Sequence, residues 1–148
     1  MATIRLSKNF TLAEMCASDT AKSKGIKNEP DTQAVVNLTA LCAHVLQPLR
    51  NWWGNEVKIG SGYRCQALNI AVGGVRNSQH MLGQAADLCI DGDINKGKKW
   101  IEIIRALGEF DQLIWEHNAK GIYWVHVSYR SDGKNRLQYI AEMLKVRT

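Results

Sequence analysis

Two histidines and one aspartate, placed so that they must arrive from different elements, set the strongest limit on how this chain folds. They are His80 and Asp87 in Ser78-Gln79-His80-Met81-Leu82-Gly83-Gln84-Ala85-Ala86-Asp87, and His126 about forty residues later in Trp124-Val125-His126-Val127-Ser128. Two imidazoles and one carboxylate make a three-ligand set for a catalytic zinc and leave a fourth position open. The helical HExxH motif is absent, so the ligands have to come from strand and loop positions. His126 sits in an alternating run, with Tyr123, Val125 and Val127 set against Trp124, His126 and Ser128, which reads as a β-strand carrying its histidine on the polar face. Gly83, Ala85 and Ala86 between His80 and Asp87 are small enough for the backbone to bring both side chains to one ion. A buried strand histidine and a buried carboxylate each need a partner. The expectation is one zinc ion per chain, held by His80, Asp87 and His126.

The elements that would carry such a site can be read in order. Thr11 and Glu14 have capping-box spacing, and Phe10 with Met15 has staple spacing, so a short helix starts there and gives way at Ser18-Asp19-Thr20. Residues 21–30 are polar, contain Gly25 and Pro30, and read as a loop. Asp31 caps a long helix towards Trp53, with Val35, Leu38, Cys42, Val45 and Leu49 as its apolar stripe, Leu41 and Leu46 beside it, and Pro48 as a kink or early stop. A strand follows at Val57-Lys58-Ile59, one or two helical turns over 66–72, a flexible turn at Gly73-Gly74, and a second strand over 85–90. Residues 95–107 form a helix with Trp100, Ile101, Ile104 and Leu107 inward and Gly108 as its stop. Residues 111–116 and 122–128 form a hairpin, and 136–144 fits either a strand or a helix. The sum is a small α+β fold, a single domain over 1–148 with helices packed on a mostly antiparallel sheet.

Composition narrows the function classes. At 148 residues the chain has room for one core. It contains no run of eighteen apolar residues, so no membrane span is expected. The start, Met-Ala-Thr-Ile-Arg-Leu-Ser-Lys-Asn-Phe, lacks a signal-peptide core, so synthesis in the cytoplasm is expected, with release to its substrate by a helper. The net charge is +5, from clusters at Lys22, Lys24 and Lys27, at Lys96, Lys98 and Lys99, and in a tail with Lys145 and Arg147. No nucleic-acid module accompanies these clusters, so they read as solvated faces and no nucleic-acid partner is expected. Cys16, Cys42, Cys65 and Cys89 have no CxxC spacing and read as free packing thiols.

Ser78-x-His80-x-x-Gly83-x-Ala85-x-Asp87 with the later Trp124-Val125-His126-Val127-Ser128, together with Ser61-Gly62-Tyr63-Arg64, Asn69 and Val72-Gly73-Gly74 upstream, resembles the zinc D-alanyl-D-alanine carboxypeptidases and L-alanyl-D-glutamate peptidases of peptidoglycan. Hedgehog signalling domains share that fold. The likeness runs from about Phe10 to Ser128. Residue by residue, it implies zinc ligands at His80, Asp87 and His126, a substrate-carboxylate arginine at Arg64, and a substrate-contacting serine at Ser78. It also implies a stem-peptide substrate and an endolysin-like enzyme of phage or prophage type; separately, a monomer is expected.

The chain departs from that family at the general base. Some relatives carry an acidic residue three positions before the last histidine and others a histidine two before it. Tyr123 and Trp124 stand at those positions, and neither can take a proton from water. Glu116 is the expected replacement, because it closes the hairpin strand that pairs with the one carrying His126. Asp111 is too far along that strand, and His117 points to the opposite face. The rival expectation is a catalytically inactive, zinc-containing binding domain of the same fold.

Overall fold

The computed structural model describes residues 3–146, so Met1, Ala2, Arg147 and Thr148, including part of the leader reading and of the basic tail, lie outside the described residues. Thr11 caps helix α1 (Leu12–Cys16): its hydroxyl accepts the Glu14 N–H, and the Glu14 carboxylate accepts the Thr11 N–H. The staple residues Phe10 and Met15 are both buried. Ahead of the helix, β1 (Arg5–Ser7) and β2 (Phe10–Thr11) form a small antiparallel pair that the sequence reading lacks.

The loop expected over 21–30 is corrected at its start, where helix α2 spans Asp19–Lys24. Strong end signals outweigh polar composition here: the Ser18 hydroxyl accepts the Ala21 N–H, and Gly25 closes the helix at φ 65.

The long helix runs as one rod of three parts: α3 (Thr32–Leu41), a wide π turn (Cys42–Leu46) and α4 (Gln47–Trp53). Asp31 caps it by accepting the Ala34 N–H at 2.8 Å. Pro48 neither stops nor breaks the rod. The Gln47 N–H reaches five residues back to Cys42, so the turn widens where a proline ring would otherwise crowd the carbonyl four residues before it. The buried stripe is Ala34, Leu38, Leu41, Cys42, Val45, Leu46 and Leu49, with Val35 only half-buried.

Five strands form the main sheet: β3 (Lys58–Ser61), β4 (Ala85–Cys89), β5 (Gln112–Asn118), β6 (Tyr123–Ser128) and β7 (Gln138–Lys145), in the order β3-β4-β6-β5-β7. Three pairings are antiparallel and the β5–β7 pairing is parallel. The segment left open between strand and helix is therefore a strand. Helix α5 (Gln66–Ala71) follows β3, and α6 (Ile94–Leu107) links β4 to β5.

Register divides the sheet into two faces. Ala86 and Leu88 pair with Val127 and Val125, which pair in turn with Leu113 and Trp115. This apolar face packs against the rod and against Trp100, Ile101 and Ile104 of α6; each such buried side chain contributes about 1.5–3 kcal/mol. The opposite face carries Asp87, His126, Ile114 and Glu116.

His80 reaches that face from a single 3₁₀ turn (Gln79–Leu82) that ends at Gly83, φ 73. A β-carbon on Gly83 would lie 2.5 Å from the Ala34 carbonyl oxygen of the rod. Gly83→Ala should therefore destabilise the protein by about 3 kcal/mol, through left-handed strain plus a backbone clash. Urea unfolding measures this, and an unchanged midpoint would contradict the turn's packing on the rod.

Candidate metal centre

His126 and Asp87 are direct cross-strand partners on β6 and β4, so the sheet itself sets their side chains together. His126 Nδ1 lies 2.9 Å from Asp87 Oδ1, and His80 Nε2 lies 3.3 Å from Asp87 Oδ2. Donor atoms of all three residues lie within 4.8 Å of one another, so the group could hold a metal ion. His80 Nδ1 sits 2.7 Å from the Gly62 carbonyl oxygen. A carbonyl can only accept, so Nδ1 carries the hydrogen, and in the neutral ring Nε2 presents its lone pair to the cluster.

The donor chemistry fits zinc: two imidazoles, one carboxylate, and an outer hydrogen bond that orients the buried histidine. Burial works against charge on Asp87, but the His80 and His126 imidazoles reverse that effect and hold its carboxyl well below the usual range. Burial likewise opposes protonation of His126, and the hydrogen bond and charge of Asp87 outweigh it, so His126 titrates above its ordinary value. A cation entering here competes with that proton, and its affinity falls in acid.

Glu116 stands beside the cluster, in the interior of β5 rather than at its end, because the strand continues to Asn118. It pairs across the ladder with Trp124, and the Trp124 indole N–H donates to its Oε1 at 2.8 Å. Oε1 is 3.8 Å from His126 Nδ1, and Lys145 Nζ is 3.4 Å from Oε2. The Glu116 carboxylate is only 2 % exposed.

Arg64 sits in the loop after β3, and its backbone N–H donates to the His80 carbonyl. The side chain is 8 % exposed, one amino group donates to Ser78 Oγ at 3.4 Å, and its Nε has no hydrogen-bond partner among the described residues. Desolvation lowers its pKa, with Asp87 and Glu116 opposing that shift. A buried guanidinium with an unpaired N–H has the chemistry to receive an anion. Ser78 shapes the loop: its hydroxyl also accepts the His80 N–H at 3.1 Å, capping the 3₁₀ turn.

Arg64, Ser78, Asp87, Glu116, Trp124 and His126 all line one cleft of about 610 Å³. Tyr63 and Asn69 brace its edge: the Tyr63 N–H donates to Met15, and the Asn69 amide donates to Val75. The four cysteines are free, and Cys42 is buried.

Three residues have roles that the sequence reading did not assign. Asn28 donates to the carbonyls of Cys16 and Tyr63 and accepts the Cys65 N–H, so it pins the Arg64 loop from 35 residues away. Asp111 is fully buried and takes two hydrogen bonds from the Arg136 guanidinium and one from Gln79, tying the C-terminal segment to the His80 turn. Lys145 reaches Glu116 from β7. None of the three has a local sequence signal, because each acts across a long stretch of chain.

No helix of the described residues is long and apolar enough to cross a membrane. The pattern of the peptidase M15 family matches residues 8–128. A stretch of 83 residues is 36% identical to the zinc D-Ala-D-Ala carboxypeptidase of Streptomyces albus G, covering 54% of this chain and 31% of that protein. The chain thus aligns with about a third of its relative's length.

Proposed function

The chain belongs to the peptidase M15 family, and on that footing we propose that it is a zinc peptidase that hydrolyses amide bonds in peptidoglycan stem peptides. In this reading it acts as a monomeric single domain with one zinc ion, as an endolysin-like enzyme of phage or prophage type. His80, Asp87 and His126 hold the ion, Glu116 is the general base, and Arg64 and Ser78 bind substrate. The observation that carries the reading is the convergence of three donor residues with a buried fourth group, Glu116, only 3.8 Å from His126 Nδ1. The name of the Streptomyces albus G relative supports both the metal and the wall-peptide substrate.

Zinc on two imidazoles and a carboxylate supplies Lewis acidity, which polarises a carbonyl and makes water nucleophilic near neutral pH. The protein's own groups do the rest. Glu116 accepts the proton of the attacking water on its carboxylate and returns it to the departing amine nitrogen. Trp124 holds Glu116 Oε1 in place for that transfer. Arg64 fixes the peptide by pairing its guanidinium, including the unpaired Nε–H, with a substrate carboxylate. What supports a peptidase over an inactive binding domain is Glu116, a carboxylate kept buried beside the metal ligands.

Removing zinc with a chelator should abolish cleavage of a soluble stem peptide, and added zinc should restore it. Cleavage that persists in metal-free protein would overturn the proposal. Arg64→Lys keeps the charge but loses the planar fork. Its kcat/KM on a carboxylate-bearing peptide should fall about a hundredfold, as expected for roughly 2–3 kcal/mol of lost charged hydrogen bonding. Unchanged kinetics would refute the role of Arg64.

A further inference from the structure

Strand β7 lies wholly beyond the stretch that matches the family, which ends at residue 128. It is nonetheless part of the site. Met143 is the register partner of Glu116 on β5, so Lys145, two residues further along β7, projects to the same side of the sheet. Its Nζ lies 3.4 Å from Glu116 Oε2. That oxygen is buried and accepts no hydrogen bond from the described residues, whereas Oε1 takes the Trp124 indole N–H at 2.8 Å.

A carboxylate this deeply buried has to be paired. The charged groups facing it come from several elements. His126 approaches from β6 at 3.8 Å, and Asp87 lies behind it on β4. Arg64, on the loop after β3, shares the cleft, and Lys145 approaches from β7. In the proposed reaction His126 and Arg64 are committed to metal and substrate, which leaves Lys145, among the described residues, as the cation that faces Oε2.

We propose that Lys145 is a positioning residue for Glu116: the C-terminal strand supplies an ammonium that fixes the second carboxylate oxygen, while Trp124 fixes the first. The C-terminal segment is well anchored for this task, since Arg136 grips the buried Asp111 with contacts of 2.7 and 3.0 Å just before β7 begins. The inference rests on Glu116 being the base. It explains how a base can work from β5 when the residues close before His126 are Tyr123 and Trp124. The carboxylate is clamped from both neighbouring strands, β6 and β7.

The test uses the zinc-loaded full chain and a soluble stem peptide that the wild-type enzyme cleaves. Lys145→Met keeps the apolar stem and removes the charge. It should lower kcat about tenfold with KM and zinc content unchanged, and Lys145→Arg should recover most of the loss. In a Glu116→Gln background, Lys145→Met should add almost nothing, because its effect passes through Glu116. The Trp124 indole N–H resonance gives a readout independent of turnover: it should shift in Lys145→Met and return in Lys145→Arg. Lys145→Gln serves as the second variant should the methionine impair folding.

Unchanged kcat in Lys145→Met alongside an inactive Glu116→Gln would overturn the role of Lys145 and leave the base in place. A raised KM at constant kcat would also overturn it, by placing the ammonium on substrate instead. Full turnover in Glu116→Gln alone would remove the base assignment itself, and that single variant distinguishes the two failures.

Discussion

Glu116→Gln is expected to keep its zinc and lose turnover by about 10²- to 10⁴-fold, the contribution typical of a positioned general base. The substitution preserves the shape of the side chain and its acceptor for the Trp124 indole N–H at 2.8 Å. It removes only the basicity and the charge facing Lys145. Steady-state kinetics with parallel metal analysis measure both halves. The split between them is the informative part, because Glu116 lies beside the ligand cluster rather than in it, with Oε1 3.8 Å from His126 Nδ1. Loss of zinc together with activity would recast Glu116 as a ligand. Retained activity would move the base elsewhere.

The second large effect concerns His126. In His126→Ala the zinc content should fall from one per chain to near zero, and zinc should no longer raise the melting temperature. For the wild type, zinc at a thousandfold over its dissociation constant contributes about 4 kcal/mol of stability by mass action. The variant loses that linkage, and it also leaves Asp87 without the histidine 2.9 Å away that now pairs with it. Stoichiometric zinc in His126→Ala would contradict the assignment.

What could be read directly from the chain were features with a local physical cause. The alternation through Tyr123–Ser128 follows from strand geometry, and it placed Val125 and Val127 in the core with His126 on the other face. The Thr11–Glu14 box and the Asp31 cap also formed as read, because a cap is satisfied within three residues. Other features were settled by partners distant in sequence. Segment 136–144 shows no decisive periodicity, and it becomes a strand because β5 offers a parallel edge. Lys145 and Asn28 meet partners that lie far away in sequence, across the sheet and in the Arg64 loop. Helix α2 departs from the loop reading for a different reason: its six polar-rich residues carry no apolar stripe, and it is held by its ends at Ser18 and Gly25. At Pro48 the early stop does not occur, since a π turn ahead of it absorbs the proline and lets the helix continue.

The most direct measurement is digestion of purified peptidoglycan by the zinc-loaded protein, followed by mass spectrometry of the soluble fragments. The wild-type protein should release products that each differ from an intact stem peptide by hydrolysis of one amide bond, and zinc-loaded Glu116→Gln should release none. Peptidoglycan left intact by zinc-loaded wild-type protein would contradict the peptidase and point instead to a zinc-containing binding domain.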